Sequence, residues 1–225
     1  MGFGLFGKLP QKRDFVSHGV PSNVLHPWET WLQHAVAASR SAMGTQWQDF
    51  YLVAPIWHFW LGSGMFGKPV MGSLMASVDQ VGRYFPLTLF YVGEEGETFD
   101  PPTMGLDEEW FAALDARLLT VLGEDASADP TTLLQDLPTP TAAPATAESP
   151  GLGTGGSLLH EGEELEAGDL VTRDYRDAVV TRSYWWCAAA GAAPAEMTSW
   201  SGLPGPYYFS RMLRFLPPAA EESPL

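Results

Sequence analysis

Two short stretches in the first ninety residues hold the side chains best placed to do chemistry. In residues 8–15, Lys8, Lys12, Arg13 and Asp14 lead into Phe15. Such a charged turn closed by one aromatic is either a solvated loop or a contact site for another protein, since loops carry much of binding. In residues 77–84, Ser77, Asp79, Arg83 and Tyr84 bracket a turn. An Asp–Arg pair there fixes the loop through a charge-assisted hydrogen bond; the alternative is a small-molecule-sensing or hydrolytic cleft using Ser77, Asp79 and Arg83. The Gly4-x-x-Gly7-Lys8 sequence has neither the spacing of a phosphate-cradling loop nor a Ser or Thr after its lysine. Its glycines are read as permitting tight strand packing, with Lys8 on the rim.

The remaining reactive side chains form no recognisable constellation. His26 and His34 are spaced to share one helix face, yet they and His18, His58 and His160 lack the nearby Asp, Glu or Cys that would complete a metal site. A serine hydrolase needs a nucleophile turn such as G-x-S-x-G; none occurs, and Gly62, Ser63 and Gly64 lack that frame. Cys187, the single cysteine, lies between Trp186 and Ala188 as a small buried hydrophobe and leaves no internal disulfide. The residues therefore predict no catalytic set, no metal and no cofactor.

The elements that must hold these segments follow from periodicity. Residues 2–9 alternate Phe3 and Leu5 with glycine as an edge or opening strand. Trp28, Trp31, Leu32, Ala35 and Val36 recur at helical spacing over residues 27–40, with Pro27 in the first turn and Gly44 beyond the end. Residues 50–54, 57–61, 70–78 and 85–92 read as strands, and so many strands with so little room for crossovers imply mainly antiparallel pairing. Residues 106–122 form the best helix, with Trp110, Phe111, Leu114, Leu118 and Val121 on its core stripe and Asp107 to Glu109 at its positive end. Asp129 and Pro130 start a shorter helix to residue 137. Residues 183–189 read as a buried strand and residues 206–216 as a closing helix. Most tryptophans are core by this periodicity, with Trp47 and Trp200, in turn-like contexts, candidates for exposure.

Composition sets the frame. At 225 residues, with 45% hydrophobic side chains and nine tryptophans, the chain buries a proper core. One α/β sandwich domain over residues 1–216 is expected, its mainly antiparallel mixed sheet flanked by helices, with residues 138–156 a flexible loop or linker and 217–225 a loose tail. Charge is uneven: residues 1–92 carry six Lys or Arg against four Asp or Glu, and nearly all of the net −15 lies beyond them. An acidic surface repels phosphate backbones and anionic lipid, which disfavours nucleic acid and membrane and favours a basic protein surface as partner. No apolar run is long enough to span a bilayer and no leader pattern opens the chain, so a cytoplasmic protein is expected.

Several of these stretches together resemble the TagF family, accessory proteins of the bacterial type VI secretion system. They are GLFGKLPQKRDF (residues 4–15), the proline-and-tryptophan helix after it, APIWHFWLGSG (54–64), SVDQVGRYFPL (77–87) and, more faintly, SYWWCA (183–188) and GLPGPYYFSRML (202–213). The resemblance implies a cytoplasmic, non-enzymatic regulator that restrains assembly or firing of the apparatus after translation by engaging a forkhead-associated scaffold protein. An alternative within the same system is a structural subunit of the apparatus. Candidate contact residues are Lys8, Lys12, Arg13, Asp14 and Phe15 of the loop with Ser77, Asp79 and Arg83 of the turn. Two departures stand out: Arg13 replaces a glycine common in the family, which strains Arg13 if that position needs a positive φ, and Gln80 replaces a common basic residue.

Overall fold

A computed structural model describes residues 2–123, 126–143, 175, 180–189 and 194–213. The remainder of the 138–156 segment, the acidic stretch of 158–177 apart from Tyr175, residues 214–216 and the tail lie outside the described residues. Seven strands form one open antiparallel sheet: β1 (Gly2–Lys8), β2 (Phe15–His18), β3 (Trp57–Leu61), β4 (Val70–Met75), β5 (Leu87–Val92), β6 (Arg182–Cys187) and β7 (Glu196–Ser201). Their spatial order is β2-β1-β5-β4-β3-β6-β7. The expected sheet is present, and every pairing in it is antiparallel.

Helices cover both faces, which is why β3 to β6 are almost continuously apolar. Successive strand side chains point to opposite faces. Along β3, Trp57, Phe59 and Leu61 join the core beneath α1 (Ser22–Met43), whereas Trp60 joins the other core beneath α4 (Glu108–Thr120). The α1 side is built on stacked aromatics. Trp185 of β6 lies 5.7 Å from Trp28, 5.0 Å from Trp31 and 5.4 Å from Phe59, at offset and tilted geometries that favour ring pairs. Trp28 also donates its indole N–H to Thr88 Oγ1 at 3.1 Å, so the one buried polar atom of that ring is satisfied.

Several expectations need correction. Helix α1 begins at Ser22, before Pro27, because Pro21 already supplies the carbonyl accepting the Val24 and Leu25 N–H groups; Pro27 lies inside the helix. Residues 50–54 are not a strand. Trp47 and Tyr51, four residues apart, stack at 4.5 Å and are buried, and this packing draws Trp47–Leu52 into helix α2 against its β propensity, while a single helical turn after β3 forms α3 (Ser63–Phe66). Trp47 is thus interior, and its indole N–H donates to Ser39 Oγ at 2.8 Å. Strand β1 opens the chain but is internal to the sheet, since β2 covers its outer side.

The cap of α5 (Pro130–Leu134) matches expectation, and in α4 Asp107 is the cap itself, with Glu108 and Glu109 in the first turn. Asp107 accepts the Trp110 N–H at 3.0 Å, and Asp129 accepts those of Thr131 and Thr132. Both helices are shorter than their apolar patterns, ending at Thr120 and Leu134. The closing helix, α6, spans Tyr208–Met212 and packs on α1, with Trp31 donating to the Pro204 carbonyl at 2.8 Å.

Candidate functional site

The two charged segments, remote in sequence, meet. Strand β1 can reach the turn because Gly7, at φ 137°, lets its backbone abut Pro86; a side chain there would put Cβ 2.1 Å from the Pro86 carbonyl oxygen. Beyond Lys8 the chain turns, with the Lys12 N–H donating to the Leu9 carbonyl at 3.0 Å, and the Lys12 carbonyl accepts the Gln80 N–H at 3.0 Å. Ser77 Oγ donates to the Lys8 carbonyl at 2.7 Å. The Ser77 N–H in turn bonds the buried Tyr51 hydroxyl at 3.1 Å, which ties the junction to α2.

Asp79 is the centre of this junction. Its Oδ2 receives Lys8 Nζ at 2.5 Å and Arg83 Nε at 2.7 Å, while Oδ1 accepts the N–H groups of Val81 at 3.1 Å and Arg83 at 2.8 Å. Burial alone would raise this carboxyl; the Lys8 ammonium and the Arg83 donors outweigh it and hold the group far below the usual carboxylate range. The turn closes at Gly82, whose φ of 85° favours glycine.

The eight candidate residues divide into a support and a surface. Lys8, Ser77 and Asp79 are buried. Lys8 is therefore not on the rim: Asp79 supplies its counter-charge, and the Phe15 ring lies 4.4 Å from its ammonium. Lys12, Arg13, Asp14, Phe15 and Arg83 face solvent. Phe15 stays 47% exposed although its ring packs 4.8 Å from Phe85, and Asp14 lies 3.9 Å from Arg83. Arg13 and Gln80 touch each other, Arg13 Nε donating to Gln80 Oε1 at 3.4 Å. The strain expected of Arg13 is absent, since its φ is not positive; among the described residues Asp136 is the non-glycine with positive φ.

A second polar cluster escaped the sequence reading. His58 of β3 and Ser73 of β4 are direct cross-strand partners, with Nδ1 and Oγ 2.9 Å apart, and His58 Nε2 lies 3.5 Å from Asp115 Oδ2 of α4. Burial lowers the His58 pKa to about 4 and raises that of Asp115 to about 6. This has the residue order of a Ser–His–Asp relay with the two ring nitrogens exchanged, and Ser73 is fully buried, so its hydroxyl is closed to a substrate carbonyl. Asp115 carried a signal: it follows Phe111 by four residues, on the core side of α4. Ser73 carried none until the strands were paired.

Among the described residues no group of three or more His, Cys, Asp or Glu is placed to hold a metal ion, and no helix is long and apolar enough to cross a membrane.

Comparison with known proteins bears on the whole chain. A family model described as the TagF N-terminal domain, type VI secretion system-associated, matches residues 4–137. No curated protein matches. Among solved structures, the crystal structure of PA0076 from Pseudomonas aeruginosa PAO1 is similar at 30% identity with a TM-score of 0.78, over 99% of this chain and 97% of that one. The matched residues include both segments of the Lys8–Asp79 junction and the sheet between them, and the chain belongs to the TagF family of type VI secretion system-associated proteins.

Proposed function

We propose that this chain is a non-enzymatic, cytoplasmic regulator that restrains the assembly or firing of the type VI secretion system after translation by binding a forkhead-associated scaffold protein. Family membership supplies the system; the site supplies a surface suited to binding. The observation that carries the reading is the Lys8–Asp79 pair, which with the Gln80-to-Lys12 backbone bond holds two loops as one face. Lys12, Arg13, Asp14, Phe15 and Arg83 are presented on a pre-ordered frame, so little conformational entropy is lost when a partner docks.

The test is a pull-down of purified scaffold from the same cell by this protein and by a variant carrying Lys12→Ala, Arg13→Ala and Asp14→Ala. These side chains are exposed and the frame does not depend on them, so the variant keeps its circular dichroism spectrum. Binding weakened tenfold or more in the folded variant supports the reading. Absence of binding by the unmodified protein overturns it.

A further inference from the structure

An apolar groove of about 470 Å³ lies next to this face, between the C-terminal ends of α2, β4 and α4. Its walls include Leu52, Val53, Leu119 and Leu122, which are 59%, 75%, 52% and 58% exposed. Val81, on the adjoining turn, is 56% exposed. Single exposed apolar residues are ordinary, but four converging on one groove mark an interaction surface. The fold does not require them. Leu114, Leu118 and Val121 already fill the core stripe of α4, and Leu119 and Leu122 add a second apolar face at its end.

The rim states the charge of the occupant. Pro10 and Val78 line the groove and run directly into the turns that carry Lys12, Arg13 and Arg83. Three exposed cations, Lys12, Arg13 and Arg83, stand there against one exposed carboxylate, Asp14, while the buried Lys8 and Asp79 are paired with each other, which leaves a local excess of positive charge on a chain of net −15. Among the described lining residues the side-chain hydroxyl is that of Ser77, already given to the Lys8 carbonyl, so they offer no convergent polar side chains to orient a small ligand.

We propose that this groove docks an amphipathic segment of another polypeptide, its large apolar side chains in the groove and its carboxylates against Lys12, Arg13 and Arg83. The inference rests on the binding-module reading above and names the chemistry of the partner's segment. Complementary charge gives such a contact its orientation and association rate, and the apolar groove supplies the burial.

The test is selection of a displayed library of random 12-residue peptides on the intact protein, followed by measurement of the enriched peptides on a Leu52→Glu, Leu122→Glu variant. Both substitutions are at exposed positions, and a thermal melt confirms that the variant is folded. Enriched sequences should combine Leu, Ile, Phe or Trp with Asp or Glu, bind the variant at least tenfold more weakly, and weaken as salt is raised. Basic or purely polar sequences, equal binding to the variant, or no enrichment overturns the proposal. Titrating purified scaffold against both proteins separates the two readings. Scaffold bound equally by the variant overturns the groove as its docking site and leaves the regulator standing; peptide selection as expected, with no scaffold binding by either protein, leaves the groove standing and removes the scaffold.

Discussion

Two buried polar clusters stand out among the described residues, and their carboxyl groups are shifted in opposite directions. At one end of the sheet, Asp79 keeps its charge under cover because Lys8, Arg83 and two backbone N–H groups face it. In the middle, Asp115 and His58 lie 3.5 Å apart and burial pushes each toward its neutral form. The difference lies in the donors. Asp79 has its lone pairs filled, whereas Asp115 Oδ1 is buried without a hydrogen-bond partner. Burial favours the neutral form of each of these groups, and the charged partners that accompany it decide whether that form prevails.

The largest expected effect comes from removing one partner of the charged cluster. Lys8→Met should destabilise the protein by about 3 kcal/mol in urea denaturation, because it leaves a buried carboxylate short of a counter-charge. A Lys8→Met, Asp79→Leu double variant should recover part of that loss, and failure to recover any would show that the two side chains do not act as a pair.

The His58–Asp115 cluster is tested by pH. His58 titrates near 4 when folded and near 6.5 when unfolded, so its contribution is intact above pH 6.5 and is lost as pH falls toward 4. Asp115 titrates near 6 when folded and near 3.8 when unfolded, so its effect has the opposite sign, favouring the folded state as pH falls through 6. The two nearly offset in the native protein. His58→Gln should therefore gain stability between pH 6.5 and 4.5 relative to the unmodified chain and Asp115→Asn should lose it, each by about 1–2 kcal/mol. Slopes of the same sign in the two variants would show that burial does not lower His58 and raise Asp115. The smallest effects belong to the exposed rim. Arg83→Ala should lower stability by about 1 kcal/mol, since Asp79 keeps Lys8, and Arg13→Gly should stay within about 0.5 kcal/mol in the same denaturation series.

How much of this was readable in advance depended on range. β3, β5 and α4 declared themselves through local period and capping, signals contained within a dozen residues. β2 did not, because four mostly exposed residues following a charged turn have no apolar alternation to show. β7 did not either, its exposed positions alternating with only half-buried ones. The 50–54 segment misled because its side chains favour strands while its packing partner, Trp47, lies a helical turn earlier. For the site, both segments were visible as charged turns, and the Asp79–Arg83 bond was read correctly as a loop clamp. Their union was not visible. Lys8 and Asp79 are 71 residues apart, and no local pattern announces that one will bury the other.

Strand β6 gives the fold a boundary that differs from the family boundary. The matched region ends at residue 137, yet β6 (Arg182–Cys187) pairs with β3 and places Trp185 against Trp28 and Phe59. A fragment cut at 137 would carry both charged loops and still lose an aromatic from the centre of one core, while leaving the backbone N–H and C=O groups of β3 open along the sheet. Such an edge is a template for pairing between molecules. The proposed recognition surface and the means of keeping the protein from sticking to its own copies are thus encoded in separate parts of the chain, and a fragment made to test that surface has to span both.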